Sequence, residues 1–182
     1  MSRLILITGG IRSGKSRQAE QLLAGSADVL YIATARCFDE EMERRIAVHR
    51  ASRPAKWITA EQYRDLDRLL QRHPDRDVLL DCVSNMVTNL MLDAESDYDH
   101  ISMERAESVE QDIRRQFGRF LEELRRRQHT AVLVTNECGS GLVAPYRLGR
   151  IFADIMGRLN QYLAGFCDEV YLMSCGLPLQ LK

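Results

Sequence analysis

The chain has 182 residues, 45% of them apolar and 28% charged, and a formal net charge of −1. This length suits a single domain over residues 1–182 with a full core. The near-neutral charge argues against a protein devoted to a nucleic-acid backbone. No apolar run approaches the roughly 18 residues of a membrane span, and no cleavage signature precedes the first apolar strand, so a cytoplasmic protein is expected.

In chain order, Leu4-Ile5-Leu6-Ile7-Thr8 is a short continuous apolar run, the mark of a strand buried on both faces of a parallel sheet. A helical pattern over 14–23 follows. Further apolar runs lie at 29–32, 78–80, 131–134 and 170–173. Helical patterns fill 39–50, 61–70, 100–127 and 147–164. In the long one, Ala106, Val109, Ile113, Phe117, Phe120 and Leu124 step by three or four, with charge on the other face. Residues 177–181 follow Gly176 and fit an edge strand in a hairpin. Strands alternating with helices imply an α/β fold, a doubly wound and mostly parallel sheet with helices on both faces. Five cysteines with no C-x-x-C spacing read as reduced thiols, with neither a disulfide frame nor a zinc site.

Between the first strand and the first helix stands Gly9-Gly10-Ile11-Arg12-Ser13-Gly14-Lys15-Ser16, a complete G-x-x-x-x-G-K-[ST] phosphate loop in its proper setting. Glycines let the backbone curl so that successive N–H groups point at phosphate oxygens, and the helix start adds the positive end of its dipole. Lys15 is one of only three lysines, with Lys56 and Lys182, among 25 basic residues. It is expected to reach the β- and γ-phosphates, and the Ser16 hydroxyl to ligate Mg²⁺. Asp81, closing the strand at 78–80, fits the acidic residue that completes the magnesium shell. The loop predicts a P-loop nucleotide-binding fold of RecA-like type. Asn136-Glu137-Cys138-Gly139 does not match a guanine-reading N-K-x-D, and no D-x-x-G follows Asp81, which disfavours a GTPase. A nucleic-acid-dependent ATPase is disfavoured by charge. A small-molecule transferase remains, with a nucleotide-sensing regulatory module as the rival of another class.

Further blocks carry a specific resemblance: Tyr31-Ile32-Ala33-Thr34-Ala35, Asp39 to Met42 with Arg45-Ile46 and His49-Arg50, and Arg53-Pro54 with Trp57 and Thr59-Ala60-Glu61. Met86 to Leu90, Val134-Thr135-Asn136-Glu137 with Gly139 and Gly141, and Gly157 to Gln161 complete the set. In this order and spacing, over essentially the whole chain, the sequence resembles the bifunctional adenosylcobinamide kinase / adenosylcobinamide-phosphate guanylyltransferases of cobalamin biosynthesis. The resemblance implies two reactions. A nucleoside triphosphate (ATP or GTP) phosphorylates the aminopropanol hydroxyl of adenosylcobinamide. GTP then gives GMP to a histidine with loss of pyrophosphate, and adenosylcobinamide phosphate takes the GMP.

His49 falls on the nucleophile position of that family. Met42, Ile46 and His49 share one helix face, so by pattern alone His49 reads as packing; the resemblance makes it the GMP-carrying residue. Neutral imidazole is a good nucleophile near pH 7. The same carry-over places Thr34, Ala35 and Arg36 at the nucleotide, and Arg50, Ala51, Ser52, Arg53 and Glu61 about the guanine. Glu61 has a second reading, as a favourable charge at a helix start. A homotrimer is implied by resemblance only. The chain departs from the family pattern at Ile11, bulkier than the small residue expected in the loop, at Asp81 in place of Glu, at Cys138, and at Ala144-Pro145.

Overall fold

The computed structural model describes residues 2–36, 44 and 54–182. Seven strands form one sheet: β1 (Arg3–Gly9), β2 (Val29–Ala33), β3 (Ile58–Glu61), β4 (Asp77–Asp81), β5 (Thr130–Val134), β6 (Glu169–Ser174) and β7 (Leu177–Gln180). Their spatial order is β3-β2-β4-β5-β1-β6-β7, all parallel except β7, which runs antiparallel to β6. The described helices are α1 (Lys15–Leu22), α2 (Leu66–Gln71), α3 (Val83–Ala94), α4 (Met103–Arg126) and α5 (Arg147–Phe166).

The central strands are apolar on both faces because both faces are covered. Leu4 and Leu6 of β1, with Leu30, Ile32, Val78, Leu80, Ala131 and Leu133, pack against α2 to α5. Ile5 and Ile7, with Tyr31, Leu79, Val132 and Val134, face Ala19 and Leu23 at α1 and the indole of Trp57. The alternation of neighbouring residues between two cores is the period of the pleat.

Two elements differ from the sequence reading. Residues 61–70 are not one helix. Ile58–Glu61 is a strand paired with Leu30–Ala33, and helix α2 begins only at Leu66. Glu61 therefore ends a strand, and its reading as a charge at a helix start falls. Helix α3 was not visible in the pattern. It carries a single charge, Asp93, and buries Val83, Met86, Val87, Asn89, Leu90 and Met91. A helix buried nearly all round has no polar face to set a period against. The pattern at 39–50 lies outside the described residues except for Arg44, which is helical and exposed.

The strand order creates a switch point. The chain leaves β1 through α1 toward β2 on one side, and leaves β5 through α5 toward β6 on the other. β1 and β5 are neighbours in register, Arg3 opposite Thr130 through Ile7 opposite Val134. Their diverging loops open a crevice at the carboxyl end of the sheet, where ligands bind in folds of this kind.

Candidate functional site

The phosphate loop emerges from β1 at this crevice, and its backbone conformation needs its glycines. Gly9 has φ 148° and Gly14 has φ 97°. A Cβ on Gly9 would lie 2.6 Å from the Met173 carbonyl oxygen, and one on Gly14 would lie 3.3 Å from the Gly176 Cα. The loop is thus pressed against β6 and the β6–β7 turn, and the Gly176 N–H donates to the Ser13 carbonyl at 3.1 Å. Arg12 is left-handed as well, at φ 58°. Gly14 caps α1, so the first amides of that helix open toward the loop.

Lys15 is buried, and its Nζ donates to the Gly10 carbonyl across the loop at 2.6 Å. Burial lowers its pKa, opposed by the nearby Cys82, Asp81 and Cys138. The ammonium group is therefore held beneath the loop in a weakly solvated position, where Coulomb attraction to phosphate is strong. The Ser13 hydroxyl is buried and has no hydrogen-bond partner among the described residues.

Asp81 ends β4, two strand positions from β1 with β5 between them, about 10 Å across the sheet. The Tyr31 hydroxyl donates to its Oδ2 at 2.6 Å. Thr34 holds the following corner: its Oγ1 donates to the Cys82 carbonyl at 2.6 Å and accepts from the Cys82 N–H at 2.8 Å. Its N–H donates to the Asp81 carbonyl at 3.1 Å, and its own carbonyl accepts from Asn89 Nδ2 at 2.7 Å. Thr34 is fully buried and its polar atoms are engaged, so it acts on the site by fixing the Asp81–Cys82 corner. The Cys82 thiol, pushed up to about 11 by burial, is no nucleophile near neutral pH.

The remaining candidates spread along the same edge. Ala35 is half-buried beyond β2. Arg36 pairs with Asp93 at 2.8 Å, in the last turn of α3 and about 15 Å along that helix from Val83. Glu61 ends β3, four strand spacings from β1 and so about 19 Å away. His49, Arg50, Ala51, Ser52 and Arg53 lie outside the described residues. What the sequence did not single out is a polar lattice between the strand ends. Asn136 Nδ2 donates to Ser84 Oγ at 2.6 Å, Asn160 Nδ2 to the Asn136 carbonyl at 3.0 Å, and Thr135 Oγ1 to Asn160 Oδ1 at 2.7 Å. It ties β5 to α3 and α5 beside the loop; Thr135, Asn136 and Asn160 stand in blocks that carry the family resemblance, but nothing in the sequence says that they meet.

Two hard oxygen donors, the Ser16 hydroxyl and the Asp81 carboxylate, stand in the surroundings of the loop, a donor set that suits Mg²⁺ shared with phosphates. No group of three or more His, Cys, Asp or Glu forms a metal cage among the described residues, and the four described cysteines are free. A separate cleft of about 530 Å³ lies between α3 and α4, but its arginines are already paired: Arg64 with Asp93, Arg105 with Glu95, Arg115 with Asp112, and Arg119 with Asp67. No described helix is long and apolar enough to cross a membrane.

Fold and loop together define a P-loop NTPase of the RecA-like class, with a strand between the loop-bearing β1 and the acidic β4. Among solved structures, a prototypical ATPase of the type III secretion system of pathogenic bacteria superposes with TM-score 0.57 at 12% identity, over 98% of this chain and 56% of that one. The model of the cobinamide kinase / cobinamide phosphate guanyltransferase family matches residues 5–181, and the chain belongs to that family. It is 46% identical to the bifunctional adenosylcobalamin biosynthesis protein CobU of Salmonella typhimurium, over 98% of this chain and 99% of that protein. It is 44% identical to the protein of the same name from Escherichia coli, with the same coverage of both chains.

Proposed function

We propose that this chain phosphorylates adenosylcobinamide with a nucleoside triphosphate and then transfers GMP from GTP to the product, as a Mg²⁺-dependent cytoplasmic homotrimer. The observation that carries the kinase half is the loop itself: curled backbone, buried Lys15 and Asp81 about one crevice. The acceptor hydroxyl attacks the γ-phosphorus and its proton leaves to solvent, while the bond to the β–γ bridging oxygen breaks and the nucleoside diphosphate departs. Lys15, the amides from Gly10 to Ser16 and the dipole of α1 stabilise charge on the phosphoryl oxygens. Ser16 and Asp81 would hold Mg²⁺, which neutralises phosphate charge when bound.

The guanylyltransferase half rests on family membership and on His49. Its imidazole attacks the α-phosphorus of GTP and expels pyrophosphate. A phosphate oxygen of adenosylcobinamide phosphate then attacks the phosphoramidate, breaking the N–P bond and giving adenosylcobinamide-GDP. Ala35, Arg36, Arg50 to Arg53 and Glu61 would hold the guanine nucleotide; Arg36 would have to exchange Asp93 for this role.

The test is incubation with Mg²⁺ and GTP labelled at the α-phosphate. Acid-labile, alkali-stable label on the wild type, absent from His49→Ala, supports the covalent route. If no label appears while GTP binds and adenosylcobinamide is still phosphorylated, the chain is a simple kinase and His49 is incidental.

A further inference from the structure

The rim of the crevice is chemically unlike its floor. In a chain 28% charged, residues 138–146 and 170–181 contain no charged side chain at all. These two stretches are the β5–α5 loop and the β6–β7 hairpin, and they flank the phosphate loop on either side because β1 lies between β5 and β6. Toward the tips of these stretches large apolar side chains point into solvent. Leu142 is 100% exposed, Val143 81%, Leu177 71% and Tyr146 61%, and Ile11 in the phosphate loop itself is 84% exposed. These are the most exposed large apolar side chains of the described residues apart from Met103 at the start of α4, and their gathering about the phosphate loop marks a binding surface.

The rim is also anchored. The Glu137 N–H donates to the Gly9 carbonyl at 3.0 Å, and Glu137 Oε1 accepts from the Gly139 N–H at 2.8 Å. Arg150 holds the Ala144 and Pro145 carbonyls at 3.1 and 2.7 Å. Tyr146 is folded onto Gly149, where a Cβ would lie 2.6 Å from the ring.

We infer that Leu142, Val143, Tyr146, Leu177 and Ile11 form the docking platform for the corrinoid macrocycle of the acceptor. This deepens the kinase reading above and rests on it. An acceptor hydroxyl in line with the γ-phosphate must have its body on the rim next to the loop, since the floor is taken by the triphosphate. An acceptor that was itself a nucleotide or a sugar phosphate would need cations there, and the two flanking stretches offer none. A corrin ring edged with methyl groups and neutral amides matches an uncharged apolar rim. Ile11, larger than the residue expected in the loop, extends this platform over the phosphates.

Leu142→Asp, Val143→Asp and Leu177→Asp, with Met103→Asp at the exposed start of α4 as control, test the assignment. Each is assayed for the KM of adenosylcobinamide, the KM of the nucleotide, self-labelling by GTP, and sedimentation. The platform requires a rise in the corrinoid KM of about tenfold or more, the scale of one buried apolar side chain, with nucleotide KM, labelling and mass unchanged and the control inert. An unchanged corrinoid KM overturns it. A rise that accompanies dissociation into smaller species also overturns it and makes the rim an interface between copies of this chain. Wild-type protein that binds nucleotide but never phosphorylates adenosylcobinamide overturns the kinase reading, and the platform with it.

Discussion

At the scale of single residues, the site depends on where a few polar atoms are held. Lys15 was legible because a lysine in the phosphate loop stands out in an arginine-rich chain, and Asp81 because it ends an apolar run. Tyr31 stands in the sequence only as part of a block shared with the family. Nothing in the sequence says that a tyrosine two residues before the end of one strand will meet the carboxylate at the end of the next. Removing its hydroxyl leaves Asp81 without a charge-assisted hydrogen bond, a loss of about 1.5–3 kcal/mol in orientation. Tyr31→Phe is expected to lower kinase kcat/KM by about tenfold or more at limiting Mg²⁺, with partial recovery as Mg²⁺ rises. A magnesium titration of the kinase rate checks this; an unchanged Mg²⁺ dependence would remove Asp81 from the metal shell.

At the scale of elements, two contacts bind helices that the sequence presented separately. Arg127, just past α4, is buried and donates through Nη2 to the carbonyls of Leu70 in the last turn of α2 and of His73 just beyond it. Burial lowers its pKa. Arg127→Met is expected to take this donor from the His73 carbonyl, while Leu70 keeps the His73 N–H, and to cost about 2 kcal/mol, a fall of about 4–8 °C in the melting temperature. Calorimetry measures it, and a change under about 2 °C would mean that water replaces the guanidinium. The second contact joins the chain after β2 to α3 and the start of α2. Asp93 meets Arg64 at 2.8 Å, Tyr63 at 2.8 Å and Arg36 at 2.8 Å. Arg64 above all, then Tyr63 and Arg36, hold its carboxyl down at about 2, below the ordinary 3.8. A depressed carboxyl pKa stabilises the fold above the ordinary value and loses that contribution as pH falls toward 2. The melting temperature of the wild type is therefore expected to fall more steeply between pH 4 and pH 2 than that of Asp93→Asn, with the other acids common to both proteins. Parallel curves would show that the cluster adds nothing in solution.

At the scale of the whole molecule, the sheet is held by its two apolar cores and no described metal cage joins it. In the reaction proposed above Mg²⁺ would belong to the bound nucleotide, which brings part of its shell. Chelation by EDTA is expected to stop both phosphoryl and guanylyl transfer while leaving the thermal unfolding curve of the nucleotide-free protein in place. A fall in the melting temperature on chelation would point to a structural ion.

The sequence by itself determined the phosphate loop, the parallel α/β class, the long amphipathic α4 and the resemblance to one enzyme family. Each of these is written in contiguous residues or in a short period that any reader of the chain can test. The course of β3, the helix α3 and the meaning of Glu61 were not written there, because a short exposed strand and an evenly buried helix carry no period of their own. Only the tertiary structure decided that β5 lies between β1 and β4. That one placement sets Asp81 across the crevice from Lys15, spends Thr34 on the corner beside it, and brings two uncharged loops to either side of the phosphates. Strand order arises from which apolar faces pack together across the sheet, a long-range choice that no local run of residues records.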